Sequence, residues 1–547
     1  MRREQLQAAV RPVKSYFHGQ ELNSNTVLAA WMRSVGLAPN GSEWQLAKSA
    51  VQAGLGFEEA VELALGRGSR GKAAEPGSVV APTPQVEPRR DAAPRRAMPR
   101  AVEPVELHNG LPVLQQFSKQ RTSGDLDGDG ARKLLGAFAL DPVSVLVRET
   151  AQNSWDARRR SGGSPLELTY HLWQASEEQA RLLRENLLVG RRGLARLNEA
   201  LRRRPWLLEI SDRGTKGLGG PTRNDKPSRP GVPTDYMDLV LNLGAPRDVA
   251  KGGGTYGFGK TITYTISKAE TVAMWTFAEH DREHRLIGSA MSGSFDEHDT
   301  VFTGRHWWGL DVPGADRVEP VTGAPAADLG SRLFSRGFEP EETGTSILVI
   351  APDFGLRTSE QFVDALGKAV LRELWPKLVP HGDVQPMQVR VLYQGEDRSP
   401  TSPEEHDVLR HYARCLNLIR ERDAGRDPRL PIGTELIQIR GGHGDHLIGH
   451  MAIAHLMNAP DDLGEDAPPT QRIALMRNEA ELIVNYHRVP GAGGGDEQWV
   501  GVFKPIGDAA VDNDFANAEP PTHDSWIVPS TFRGHSRVRI AFRRMEQ

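Results

Sequence analysis

The sequence predicts an α+β chain, and three observations carry that prediction. Short apolar segments with strand-like patterning recur between residues 166 and 351 and again beyond 389. Longer segments with apolar residues at helical spacing stand among them, at 142–160, 176–203 and 362–378. Hydrophobic residues make up 38% of 547, enough to bury a sizeable core and to exclude wholesale disorder.

Taken in order, residues 1–66 predict a small helical domain. Val27, Trp31, Trp44 and Leu46 fall at helical spacing, 57–65 is amphipathic, and Asn40-Gly41 breaks the middle. Residues 67–103 repeat Pro, Ala and Arg and form a semi-extended linker. The segment 104–360 forms the main domain. Its first helix, 142–160, has Asp141 as N-cap and Pro142 at the first helical position. A strand at 166–173 follows, then a charged helix or helix pair at 176–203, then a short apolar strand at 206–211 that ends on Asp212. Glycine and proline dominate 213–260; strands return at 271–278, 286–291 and 345–351. The last segment, 361–547, is a mixed α/β domain. It opens with a helix at 362–378, stopped by Pro380, and continues with strands at 389–393, 436–439, 473–476 and 482–486.

Composition narrows the function classes. Cys415 is the one cysteine, which excludes an intrachain disulfide and a cysteine-cluster metal site. No apolar run approaches the roughly 20 residues that span a bilayer, and the first residues lack a signal-peptide core, so the expectation is a cytoplasmic protein without a membrane partner. Net charge is −4, but residues 1–100 carry +5 and the remainder −9. The basic arm leaves DNA open as a partner; a solvated linker explains it equally well.

Four pieces carry chemistry. On a helix, Glu149, Asn153 and Asp156 share one face, and an amide flanked by two carboxylates suits hydrated magnesium and an attacking water. A solvated polar face presents the same residues. Asp212-Arg213-Gly214 follows an apolar strand, where a carboxylate can accept from an exocyclic amine and Gly214 lets backbone approach a flat ring. Gly252-Gly253-Gly254-Thr255-Tyr256-Gly257-Phe258-Gly259-Lys260 holds backbone close to something, and phosphates fit that description, with Lys260 neutralising their charge. Gly344-Thr345 opens an apolar strand, and the Thr345 hydroxyl can reach Asp212 or a base.

In this order the four pieces resemble the motifs of the Bergerat-fold, or GHKL, ATPases, a family that includes gyrase B subunits, MutL, MORC proteins and ninety-kilodalton heat-shock chaperones. The resemblance covers roughly 130–355. It implies a Bergerat-type α/β sandwich core that binds ATP with Mg2+. It implies that Glu149 activates water, that Asn153 ligates magnesium with Asp156 in support, and that Asp212 reads adenine with Gly214 and Thr345. Gly254, Gly257, Gly259 and Lys260 become the phosphate lid. A nucleotide-dependent homodimer or a partner protein is implied too, with Arg477 and Lys504 as candidates for a cation that senses the γ-phosphate. The sequence departs from the family in two places. Gly217, not residue 216, supplies the second glycine after Asp212, and residues 158–205 are long enough for an inserted helical element.

Residues 254–261 also satisfy the phosphate-loop pattern G-x-x-x-x-G-K-[ST], which makes a P-loop NTPase an alternative. A scaffold that senses ATP without hydrolysing it is another. A third reading is metal-dependent hydrolysis at His443, His446 and His450. The chain's extra terminal domains suggest a composite bacterial ATPase in genome defence or DNA handling, by analogy alone.

Overall fold

The computed structural model describes residues 106–122, 141–159, 165–225, 228–242, 261–312, 315, 317–382, 384–441, 446–456, 469–489, 498–520, 525–527 and 536–547. The expected helical domain at 1–66, the linker at 67–103, the glycine segment 252–260 with Lys260, and His443 lie outside the described residues.

The first layer is built from β1 (Gln115–Gln120), α1 (Pro142–Asp156), β2 (Leu166–Gln174), α2 (Glu177–Leu182), α3 (Ala195–Leu201), β3 (Trp206–Arg213), β4 (Thr271–Ala278), β5 (Glu283–Met291), β6 (Thr300–Asp311), α4 (Gly323–Leu333), β7 (Gly344–Ile350), α5 (Ser359–Leu378) and β8 (Met387–Tyr393). The strands join one mixed sheet whose central order is β6-β5-β4-β7-β3-β2-β8, with β1 paired to β6. Neighbours run antiparallel except β2 and β8, which are parallel. β8 lies beyond 360, so the sheet runs across the boundary expected there.

Period-2 alternation decides which side chains go where. Leu208 and Ile210 of β3, Val272 and Met274 of β4, and Val349 of β7 join one apolar cluster with α1 and α5. Leu207, Ala273, Trp275, Leu348 and Ile350 point the other way, into a second cluster with α2 and α4. Each strand therefore feeds two cores, and the sheet is covered on both faces. The inserted element expected in 158–205 is present as α2, a π-helical turn at Leu183–Leu187 and α3. The long charged helix is thus three short pieces; a capping box of Ser176 and Gln179 starts the first.

The second layer comprises α6 (Leu409–Asp423), β9 (Thr434–Gly441), β10 (His446–Leu456), β11 (Arg472–Met476), β12 (Ile483–Arg488), β13 (Gln498–Pro505), α7 (Ala509–Asn517) and α8 (Ser536–Met545). Its five-stranded sheet has the order β9-β10-β13-β11-β12. α6 packs on one face through Tyr412, Leu416 and Ile419. α7 and α8 pack on the other through Phe515, Val538 and Ala541. α5 bridges the layers: Phe362, Leu366 and Val370 sit in the first core and Trp375 in the second. Among the described residues no helix is long and apolar enough to cross a membrane. The α+β class holds, as a helix-and-sheet sandwich followed by a mixed α/β region.

Candidate functional site

The site lies where α1 crosses the ends of β3, β7 and β4. Register places Thr276, Thr345, Asp212 and Leu168 side by side across four strands. Each lies two residues from a member of the α1 core or of the apolar side chains packed on it (Thr276 after Met274, Asp212 after Ile210, Leu168 after Leu166, Thr345 before Ile347), so all four side chains rise from the face that α1 covers. Thr276, Thr345 and Asp212 make this stretch of the row polar where the adjacent row, Met274, Ile347 and Ile210, is apolar, and there α1 and the sheet leave a cleft of about 600 Å3 including its mouth. Asn153, Ser154, Asp212, Thr215, Gly217 and Thr345 line it, with Ile210, Leu218, Leu239 and Ile347 as apolar walls.

Local chemistry fixes α1 in place. Asp141 caps it by accepting from Val143 N at 3.3 Å, with Pro142 at the first position. Inside, Thr150 Oγ1 donates to Leu146 O at 2.7 Å and shares a 2.7 Å bond with the buried Tyr170 hydroxyl of β2. At its end, Lys216 N donates to Ala157 O and Arg159 N donates to Gly214 O, both at 2.9 Å, which ties the helix to the turn after β3.

That turn needs its glycines. Gly214 has φ +81°, and a Cβ there would lie 2.6 Å from Pro165 O; Gly217 has φ +65°, and a Cβ there would lie 2.6 Å from Phe277 O. Neither position tolerates a side chain without backbone movement. The displaced second glycine thus has its own steric reason and lines the cleft.

Asp212 is the centre of the arrangement. Thr215 Oγ1 donates to its Oδ1 at 2.6 Å, Thr345 N to the same oxygen at 3.0 Å, and Ser154 Oγ to Oδ2 at 3.1 Å. All three donors are uncharged. Burial raises the Asp212 pKa above the ordinary value, against the pull of these bonds and of the Arg213 charge. Arg213 itself points to the opposite face, where it is buried. It donates to Gly337 O at 2.9 Å and stacks 3.7 Å from the Phe338 ring, holding down the chain that leads into β7.

The structure therefore brings Asn153, Asp212 and Thr345 to one cleft, with Gly214 in the turn beside it. Glu149 and Asp156 are half-buried on the same helix but do not line the cleft. Gly254, Gly257, Gly259 and Lys260 lie outside the described residues. Sequence reasoning missed Ser154, Thr215, Thr276, Asp235 and Leu239. The strand alternation that ends in Thr276 is a signal that could have found that residue; Thr215 stands three residues after Asp212 in a glycine turn.

Two cations expected to reach a phosphate are engaged elsewhere. Arg477 pairs with Glu519, donating from Nε at 3.1 Å. Lys504 is buried and pairs with Asp423 and Glu481, each at 3.0 Å. His450 is also buried, with Nδ1 2.7 Å from Asp423 Oδ1, while His446 begins β10 exposed. Among the described residues no group of three or more His, Cys, Asp or Glu could hold a metal ion.

No family model and no curated protein matches this chain. Solved structures similar to it include the ATPase region of Saccharomyces cerevisiae topoisomerase II, at 9% identity and TM-score 0.31, covering 66% of this chain and 73% of that one. The Aquifex aeolicus MutL ATPase domain complexed with ADP is similar at 10% identity and TM-score 0.26, covering 70% of this chain and 98% of that one. The ATPase and transducer domains of Balamuthia mandrillaris topoisomerase II are similar at 9% identity and TM-score 0.31, covering 74% and 84%.

Proposed function

We propose that this chain binds ATP in the α1 cleft and hydrolyses it, acting as a nucleotide-gated switch of the GHKL type. One observation carries the reading: helix packing and strand register place Asn153, Asp212 and Thr345, which are far apart in sequence, on one cleft with apolar walls. Ile210, Leu218, Leu239 and Ile347 line the cleft and would flank a flat ring bound there. A carboxylate oxygen accepts more than one hydrogen bond, and Asp212 Oδ2 takes one from Ser154. It retains capacity for the exocyclic amine of adenine, and the Thr345 and Thr215 bonds hold it in register.

The donor set suits magnesium, which takes one or two protein oxygens beside phosphates and waters. Asn153 lines the cleft and would supply its amide oxygen to the ion. When bound, the ion would neutralise charge on the phosphates. Glu149, one turn earlier on α1, orients or deprotonates the attacking water, and Asp156 supports that helix face. Gly254, Gly257, Gly259 and Lys260 close over the phosphates as a lid. ATP-dependent dimerisation, DNA dependence, a partner protein, cytoplasmic location and a role in genome defence belong to the same proposal.

Phosphate release by the full chain with Mg-ATP is the test. Glu149→Ala is expected to lower turnover about 100-fold to 10,000-fold while nucleotide still binds. Undiminished turnover in that variant removes Glu149 from the mechanism and favours the P-loop alternative at 254–261. Absence of ATP binding by the unmutated chain overturns the reading. The described residues add nothing to the P-loop alternative: the chain before 243 is a π-helical turn, Met237–Leu241, and both neighbours of β3 are antiparallel.

A further inference from the structure

Trp155 stands between Asn153 and Asp156 but faces away from the cleft. Two cations lie over its ring. The Lys377 ammonium lies 3.2 Å from the ring centroid, and the Arg158 guanidinium carbon lies 4.0 Å from it. Lys377 is 1% exposed. Among the described residues no carboxylate comes within 4 Å of its ammonium; the ring is its close contact. Burial holds its pKa well below the ordinary lysine value, with Glu481 the nearby charge that opposes the shift.

This arrangement is costly for stability alone. A buried ammonium loses more hydration than an aromatic face returns, and a methionine would fill the same space. Its position is what sets it apart. Lys377 is on α5, the helix shared by both cores. Arg158 pairs at 3.5 Å with Glu479, in the turn between β11 and β12. Arg148, earlier on α1, donates to Val484 O of β12 at 3.3 Å and pairs with Glu373 of α5 at 3.6 Å. The helix that carries Asn153, with the residues just after it, is therefore fastened to α5 and to the 477–484 segment through Arg148, Trp155 and Arg158.

We infer that Lys377 is a positioning residue: through the Trp155 ring it couples occupancy of the α1 cleft to the 477–484 segment of the second sheet. The inference rests on the nucleotide reading above. A shift or rotation of α1 on ligand binding moves Trp155 against its two cations. The ring transmits that movement to α5, and Arg158 transmits it to Glu479.

The experiment uses the full chain, a non-hydrolysable ATP analogue with Mg2+, and hydrogen exchange of peptides covering 472–489. In the unmutated protein the analogue is expected to change exchange at 477–484. Lys377→Met is expected to melt at the same temperature or higher and to bind the analogue within about threefold, yet to lose that exchange response and about tenfold in kcat with KM little changed. A residue serving stability alone would instead lower the melting temperature and leave the response intact. Should Lys377→Met fail to fold, Arg158→Gln probes the same clamp from its exposed side and should blunt the same response. An unmutated protein that binds no analogue overturns both readings. One that binds it with 477–484 unchanged, or a folded variant that keeps the response, overturns the coupling alone.

Discussion

Two largely covered carboxylates in this molecule behave in opposite ways. Asp212, on the first sheet, is surrounded by two hydroxyls and a backbone N–H, and burial pushes its pKa up. Glu481, beside the second sheet, accepts a two-pronged bond from Arg420 at 2.6–3.1 Å and a 3.0 Å bond from Lys504, and its pKa falls to about 2 despite burial. Arg420 also donates to Pro376 O, Val379 O and Pro380 O, which caps the end of α5. Glu481 has its charge compensated and its oxygens filled. Asp212 is preoriented by neutral donors and keeps acceptor capacity toward a cleft. The difference separates a carboxylate that holds a fold together from one whose remaining acceptor capacity faces a cleft, the feature on which the proposed nucleotide reading rests.

The comparison can be broken most easily at Glu481. Glu481→Ala leaves the buried Arg420 without its carboxylate and Lys504 with Asp423 alone, so urea denaturation should register a loss of about 3–5 kcal/mol. A loss under about 1 kcal/mol would mean the network is as dispensable as an exposed ion pair. Asp212→Asn should do the reverse: a neutral isostere suits the burial that already disfavours the charge, so the midpoint should hold. ATP affinity should fall about 100-fold in calorimetry, because an amide nitrogen then faces the adenine amine. Unchanged affinity would remove Asp212 from base recognition.

Acid sharpens the contrast further. The lowered Glu481 pKa contributes stability present above its unfolded value, 4.5, and lost as pH falls from there toward about 2. Asp212, whose pKa is raised, contributes in the opposite sense: protonation favours the fold, and that contribution fades as pH rises above its unfolded value of 3.8. Denaturation between pH 2 and 5 should thus be steeper for the unmutated chain than for Glu481→Gln. The smallest effect belongs to Ser154→Ala. It removes one donor from Asp212 Oδ2 and should weaken ATP binding about fivefold, on the order of 1 kcal/mol, without changing the melting temperature appreciably.

Much of this was legible in the sequence. The cap Asp141-Pro142, the strands at Trp206–Arg213, Thr271–Ala278 and Gly344–Ile350, and the helix at Ser359–Leu378 follow from capping chemistry and apolar period. The strand Thr300–Asp311 was not, because its run of Arg305, His306, Trp307 and Trp308 lacks alternation. His306 is nonetheless fully buried there, satisfied by Ser118 at 2.9 Å and held at a pKa of about 4 by desolvation. Arg477 and Lys504 were legible only as cations; their partners Glu519, Asp423 and Glu481 come from other elements.

The sequence by itself determined which segments become helix or strand and which residues stand as candidates for a site, because caps, periodicity and glycine turns act over a few residues. Only the tertiary structure decided that Thr276, Thr345 and Asp212 stand in one row beneath Ser154, that Arg213 turns away from that row, and that Lys377 and Arg158 both approach the Trp155 ring. Those facts depend on strand register and helix packing, which are set by contacts between residues far apart along the chain, where local patterning carries no information.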